Sequence, residues 1–357
     1  MKNLFILFFI LISFVTCKKE KIVIQEKIIN PFENDWGELS GVDIYSTYVF
    51  DVSQSEDKLY FVTSKYIVEF DSNRHTAGLP QFYSNNNIRP SFENGSSIQT
   101  SNDTLGVWMD YNTWEHSHLI IAGNEMKNFK SFSNYFNIRE CPSAVNDIHD
   151  KGLMMYLNNI GTKDSFFITY SVFSVRNDKK GNNNFYSIGN YKSNHIAFGN
   201  IPFYITGVKS FFGNYFINSS KGIYKVDTNS NYTQVLEIEN GDVLQTSFKF
   251  NQKLYGVSNY YLYESIDQGN NWTKAYNVSM DVGYYKFKQL GNELFGYRYN
   301  ELIKMEIMHD SLKFTTIDNK GIGNKQITGI ERYYNNFYIT TLAGTFIKPY
   351  SKLFLKP

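Results

Sequence analysis

From about residue 50 onward, short apolar and aromatic runs alternate with clusters of Asn, Gly, Ser and Asp. Within the runs apolar and polar positions alternate, and Tyr, Phe, Ile and Val dominate, which is the pattern of half-buried strands bounded by turns. The stretch 205–238 shows it most plainly: Ile205–Phe211, 215–218, Gly222–Val226 and 233–238 read as four strands. Helix is disfavoured throughout, because only six Ala occur in 357 residues and no long segment carries a 3.6-residue apolar period.

The pattern repeats. Residues 205–217 and 327–339 both read I-T-G-[VI]-x-x-[FY]-[FY]-x-N-[FY]-[FY]-I, and related segments at 250–256 and 290–296 fill the interval. Marking each copy at its inner strand gives Tyr215, Leu254, Leu294 and Phe337. Weaker copies continue upstream at Leu59, Leu105 and Leu153. Four short strands in each repeat of roughly 40–50 residues is the layout of a β-propeller blade. The predicted fold is therefore all-β, a seven-bladed propeller of four-stranded antiparallel blades. The long interval before Tyr215 contains 177–184, whose Asn, Lys and Gly composition reads as an exposed loop. The last repeat supplies strands at 326–333, 336–342 and 344–350 and lacks a fourth. Residues 21–29 are strand-like and are predicted to complete that blade from the N-terminus, covering an otherwise open edge.

The N-terminus changes the picture from a fold to an address. Lys2 precedes an apolar run over 4–15, too short for a stable membrane span, and Cys17 follows with Lys18, Lys19, Glu20 and Lys21 behind it. This layout resembles a bacterial lipoprotein signal of the relaxed kind familiar in Bacteroidetes. That resemblance implies cleavage after residue 16, lipid attachment at Cys17, a tether over 17–20 and a single propeller domain over 21–357. It implies a cell-envelope location with the membrane as one partner, most readily the outer membrane. Cys141 then remains as a lone thiol. Without residues 1–16 the counts of Lys+Arg and Asp+Glu are equal, so no basic surface suggests nucleic acid.

One motif carries family information. Ser265-Ile-Asp267-Gln-Gly269-Asn-Asn-Trp272 matches S-x-D-x-G-x-x-W. Asp267 can accept bonds from turn amides, Gly269 allows positive φ, Ser265 can add a side-chain bond, and Trp272 can pack between blades. The motif resembles the Asp box, or BNR repeat, of the sialidase-like β-propeller superfamily. In that superfamily the box stabilises a turn away from any active site, so the resemblance implies a structural role. Fainter traces stand at Asp227 and Asp71, which keep the acid and lose the Gly and Trp.

Chemistry is sparse. The resemblance to sialidases would imply three convergent arginines, a Tyr–Glu nucleophile pair and an acid/base Asp. Six arginines are present (Arg74, Arg89, Arg139, Arg176, Arg298 and Arg332), with nothing in the sequence to make three of them converge. His116 and His118 would share one face of a strand, as two metal ligands must, but a solvent-exposed strand whose histidines bind nothing is the favoured reading. No metal or cofactor is assigned. The predicted function is binding or scaffolding of a glycan or protein partner at the propeller mouth, with a surface glycoside hydrolase or lyase as the competing class.

Overall fold

Consecutive runs pair as antiparallel neighbours because short turns close them at little entropic cost. The computed structural model describes residues 36–39, 48–55, 58–63, 66–71, 76–77, 81–82, 97–101, 104–109, 118–123, 130–133, 143–145, 151–156, 166–180, 183–199, 205–239 and 241–354. Among the described residues the strands form seven antiparallel sheets. Sheet 1 is Val49–Ser55, Lys58–Thr63 and Tyr66–Asp71, with Thr76–Ala77 and Gln81–Phe82 both paired to the third strand. Sheet 2 is Ser97–Ser101, Thr104–Met109, His118–Gly123 and Lys130–Ser133; sheet 3 is Ser143–Val145, Lys151–Tyr156, Phe166–Lys180 and Asn183–Gly199. Sheet 4 is Ile205–Phe211, Asn214–Ser219, Gly222–Val226 and Tyr232–Glu237. Sheet 5 is Leu244–Phe250, Lys253–Ser258, Tyr261–Ser265 and Thr273–Asn277. Sheet 6 is Lys286–Leu290, Glu293–Arg298, Glu301–Ile307 and Leu312–Ile317. Sheet 7 takes Ile327–Tyr333, Asn336–Thr341 and Gly344–Pro349 from the end of the chain and Gly37–Glu38 from its beginning. These strands belong to one compact unit, Asn34–Pro357.

All seven repeat markers, from Leu59 to Phe337, lie on the second strand of their sheets. The strands that touch across sheets are the first ones. Sheet 1 meets sheet 2 there, then 2 meets 3, and so on to 6 and 7, and the first strand of sheet 7 returns to that of sheet 1. Apolar side chains fill the wedges between neighbouring sheets. Phe216 and Ile223 of sheet 4 pack with Leu244, Leu254 and Tyr263 of sheet 5. Tyr333 and Tyr338 of sheet 7 pack with Val52, Phe61 and Phe70 of sheet 1. Such rings are the main apolar mass of the core, at roughly 25 cal/mol per Å² removed from water.

The I-T-G motif acquires a physical reason here. Ile205 pairs with Ser219 and Gly207 with Asn218, so Thr206 is an unmatched bulge residue, and Thr328 stands in the same position between Ile327 and Gly329. The freed hydroxyl reaches the next sheet: Thr206 Oγ1 donates to the Leu244 carbonyl at 2.8 Å, and Thr328 Oγ1 donates to the Val49 carbonyl at 2.6 Å. A second repeated device closes the turn between second and third strands. The buried hydroxyls of Ser219, Ser258 and Thr341 accept from the amides of Lys221, Tyr260 and Ala343; those of Ser219 and Thr341 donate to the carbonyls of Gly222 and Gly344, while that of Ser258 donates to the Asp242 carboxylate.

Two expectations need correction. The place beside Gly344–Pro349 assigned to 21–29 is held by Gly37–Glu38, with Gly37 opposite Ile347 and Glu38 opposite Phe346; 21–29 itself lies outside the described residues. The anchor is Trp36, 2% exposed, whose ring meets Phe337 edge-on at 5.9 Å and whose indole donates to the Asp318 carbonyl. One buried indole outweighs the better strand propensity of 21–29. The stretch 177–184 is also not all loop: sheet 3's last two strands stay paired as far as Lys180 and Asn183, with two residues between them. The Asn/Gly signal there marks the tip of a long hairpin, because ladder hydrogen bonds do not depend on side-chain type.

Candidate functional site

The S-x-D-x-G-x-x-W segment follows the third strand of sheet 5. Asp267 Oδ1 accepts from the Ser265 hydroxyl at 2.8 Å and from the amides of Asn270 and Asn271 at 3.1 and 2.9 Å, while Oδ2 accepts from the Asn271 side chain at 2.6 Å. These donors favour the ionised form and hold the carboxyl at about 2, below the usual carboxylate value. Gly269 has φ +82 and faces Phe216 of sheet 4 so closely that an added Cβ would lie 2.4 Å from its ring. The Trp272 indole donates to the Gly269 carbonyl and packs at the sheet 4–sheet 5 wedge. Lys225 of sheet 4 donates to the Gln268 carbonyl and to Asn270 Oδ1, tying this turn to the preceding sheet.

Asp227, after the third strand of sheet 4, builds nearly the same turn without Gly or Trp. Its Oδ1 accepts from the amides of Asn229 and Asn231, and its Oδ2 from the Asn231 side chain, each at 2.8 Å. Sheet 3 grips this turn in turn: Lys151 donates to the Thr228 carbonyl, and Tyr170 and Asn194 donate to the Ser230 carbonyl. The shared feature is an Asn four residues after the Asp. Both turns are occupied by their own hydrogen bonds and face neighbouring sheets, which makes them joints between sheets.

Charge collects elsewhere, on the first strands. Counted back from the hairpin turn that ends each first strand, Lys209, Lys288 and Glu331 hold one equivalent place, and Asp51 and Lys286 hold the place two residues earlier. Alternation puts the two places on one face of their strands. Glu331 is buried and well supplied: Lys288 Nζ lies 3.0 Å from it, and the amides of Gln54 and Arg332 donate to it. Lys288 also donates to the Val52 carbonyl at 2.9 Å. Burial acts to lower the Lys288 ammonium, but Glu331 and Asp51 outweigh it and the group ends above the usual lysine value. Lys209 differs. Burial pushes it below the usual value, Lys286 and Lys288 push the same way, and only Asp51 opposes. Lys286 is exposed on its strand, and Asp51 is the charge that favours its ammonium form.

Beside these strands lies a cleft of about 810 Å³, formed by the ends of the first strands of sheets 4, 5 and 6 and the hairpin turns of sheets 5 and 6. Lys209, Lys249 and Lys288 line it, with Phe211, Phe248 and Phe287, the amides Asn251, Gln252, Gln289 and Asn292, and Ser210, Ser247 and Gly291. No carboxylate is among the lining residues. Lys249 stands over the Phe212 ring at 4.7 Å. The chemistry on offer is cationic, amide and aromatic.

The other candidate residues are not brought there. Cys17, Cys141 and His116 lie outside the described residues, and His118 opens the third strand of sheet 2 opposite Met109 and Ser133. Among the described residues no group of three His, Cys, Asp or Glu could hold a metal ion. Arg298 is bound by Asp281 and Glu301, and Arg332 stacks on Tyr350 at 3.7 Å. Sequence reasoning missed the lysines. Superposing the repeats residue by residue would have aligned Lys209, Lys288 and Glu331, a signal hidden by the aromatic pattern around them.

No known family's sequence model matches this chain, and no curated protein matches it by sequence. Solved structures do match in shape. The extracellular domain of BT4673 from B. thetaiotaomicron aligns with 88% of this chain at a TM-score of 0.53 and 10% identity. This chain spans 40% of that structure's length. YCF48 bound to D1 peptide aligns with 85% of this chain and 93% of its own length, at a TM-score of 0.50 and 11% identity. Both are β-propellers.

The fold is a β-propeller. At such low identity the likeness carries the architecture of this propeller and leaves its ligand to be argued from its own residues. Among the described residues of the propeller, no helix is long and apolar enough to cross a membrane.

Proposed function

We propose that this chain is an exported, lipid-anchored, seven-bladed propeller that binds a glycan or protein ligand at the cell envelope, most readily at the outer membrane. The observation that carries the binding role is the cleft at the hairpin mouth of sheets 4 to 6, which presents lysines, amides and aromatic rings without a carboxylate. The blade count is supported by the cyclic contacts of the seven first strands and by the Thr328 bond from sheet 7 to sheet 1. Closure of the last blade from the N-terminus is supported by Gly37–Glu38 and the Trp36 anchor.

The address rests on the leader: residues 1–16 as a signal peptide, Cys17 as the lipid site, 17–20 as a tether and 21–357 as the propeller domain. The Asp267 turn, with Ser265, Gly269 and Trp272, acts in this reading as a structural joint. Binding is tested by screening the full chain on a glycan array and against envelope extracts, beside Asn292→Trp, which fills the cleft from an exposed turn. Ligand capture lost in Asn292→Trp at unchanged melting temperature supports the site; capture unaffected by it rejects the cleft. The address is tested by Cys17→Ser, expected to move the protein from membranes to the soluble exported fraction. Membrane association unchanged by that substitution, with no lipid adduct by mass spectrometry, rejects the lipid site.

A further inference from the structure

The charges on the first strands are unequally served. Asp51 Oδ1 accepts from the Val52 amide, and Glu331 is held by two amides and Lys288. Lys209 and Lys286 have no hydrogen bond or ion pair among the described residues. Lys209 is half-buried on its first strand and Lys286 is exposed on its own, so Lys209 is the less solvated ammonium, and its like-charged neighbours Lys286 and Lys288 repel it against the pull of Asp51 alone. Lys209 also opens directly onto the cleft, beside Lys249 and Lys288. A cleft that gathers cations and leaves one of them unserved is complementary to a negative group that arrives from outside. Between the cations lie the uncharged amides of Asn251, Gln252 and Asn292 and the partly buried ring of Phe287, which suit hydroxyl groups and a sugar face.

Resting on the reading of the cleft as a ligand site, we infer that its ligand is an acidic polysaccharide, whose carboxylate or sulfate is seated at Lys209 beside Lys288, with Lys286 two residues away on the same strand face as Lys288. The oxyanion neutralises the mutual repulsion of the three ammoniums, and the amides and ring hold the adjoining sugar. Lys209 supplies the direct contact, and Lys288 remains shared with Glu331.

The test measures binding of polygalacturonate, neutral galactan and poly-L-glutamate to the full chain by calorimetry, at low and raised salt, beside Lys209→Met, Lys286→Met and Asn292→Trp. Polygalacturonate should bind, weaken as salt rises, and bind about ten- to a hundred-fold less tightly to Lys209→Met. Neutral galactan should bind far more weakly. The melting temperature of Lys209→Met should hold or rise, since a repulsive charge is removed; a fall would mark Lys209 as structural and overturn the inference. Binding of poly-L-glutamate without polygalacturonate overturns the saccharide, and binding of neither polymer overturns the anion site. Saccharide binding that survives Lys209→Met and Lys286→Met but is lost in Asn292→Trp overturns the inference while leaving the cleft as a ligand site. Binding untouched by any of the three removes both.

Discussion

Thr328 offers the most direct test of how the ring is joined. Its hydroxyl donates to the Val49 carbonyl at 2.6 Å, across 279 positions of sequence, and Val49 is fully buried. Thr328→Val keeps the shape and removes the donor, so a buried acceptor loses a partner. The expected cost is about 1–3 kcal/mol. Thr206→Val is the internal control, because the same hydroxyl makes the same bond, at 2.8 Å, to the Leu244 carbonyl of the next sheet in sequence. The two sites lie in different wedges, so their costs should add within about 0.5 kcal/mol. Urea unfolding followed by tryptophan fluorescence gives the magnitudes, and amide exchange gives their location. Thr328→Val should raise exchange in Ile327–Tyr333 and Val49–Ser55 together, whereas Thr206→Val should raise it in Ile205–Phe211 and Leu244–Phe250. A measurable loss for Thr206→Val with none for Thr328→Val, and no added exchange at Val49–Ser55, would refute the joint between sheets 7 and 1.

Gly269→Ala forces a side chain into positive φ and against the buried Phe216 ring; αL strain of about 1–2 kcal/mol and overpacking of about 1–3 kcal/mol should together cut stability clearly in urea titration. An unchanged midpoint would show that the turn can move away from sheet 4. The depressed Asp267 carboxyl contributes stability that is present above the unfolded carboxylate value and is lost as pH falls through about 2, so the amides of Asn270 and Asn271 should lose exchange protection over that window. Asp267→Asn should abolish this pH dependence, and a dependence that persists in the variant assigns it to another group. Trp36→Ala should cost about 3–5 kcal/mol by emptying a buried site beside Phe337, while deletion of 21–29 should cost little. The reverse ranking in thermal unfolding would return the clasp to 21–29.

What the sequence by itself determined is whatever local chemistry decides. Alternation placed Ile205–Phe211 and Gly222–Val226 as strands, since side chains two residues apart share a face whatever the rest of the chain does. The Asp267 turn was legible as a motif because its partners, from Ser265 to Trp272, are all within a few residues. The Asp227 turn was only a trace, because its Asn229 and Asn231 donors do not spell the familiar motif although they make the same bonds. Tertiary structure alone decided matters that join distant segments. Trp36, Gly37 and Glu38 won the edge of the last sheet through a wedge assembled from residues near 318, 337 and 346, which no local propensity encodes. Thr206 and Thr328 look like ordinary strand residues until a bulge turns their hydroxyls toward the next sheet. Lys209, Lys249 and Lys288 are spread over three repeats, and each reads alone as a solvated charge. They become one cationic cleft only because the ring brings equivalent first strands side by side, and electrostatic interaction depends on that distance in space rather than on separation along the chain.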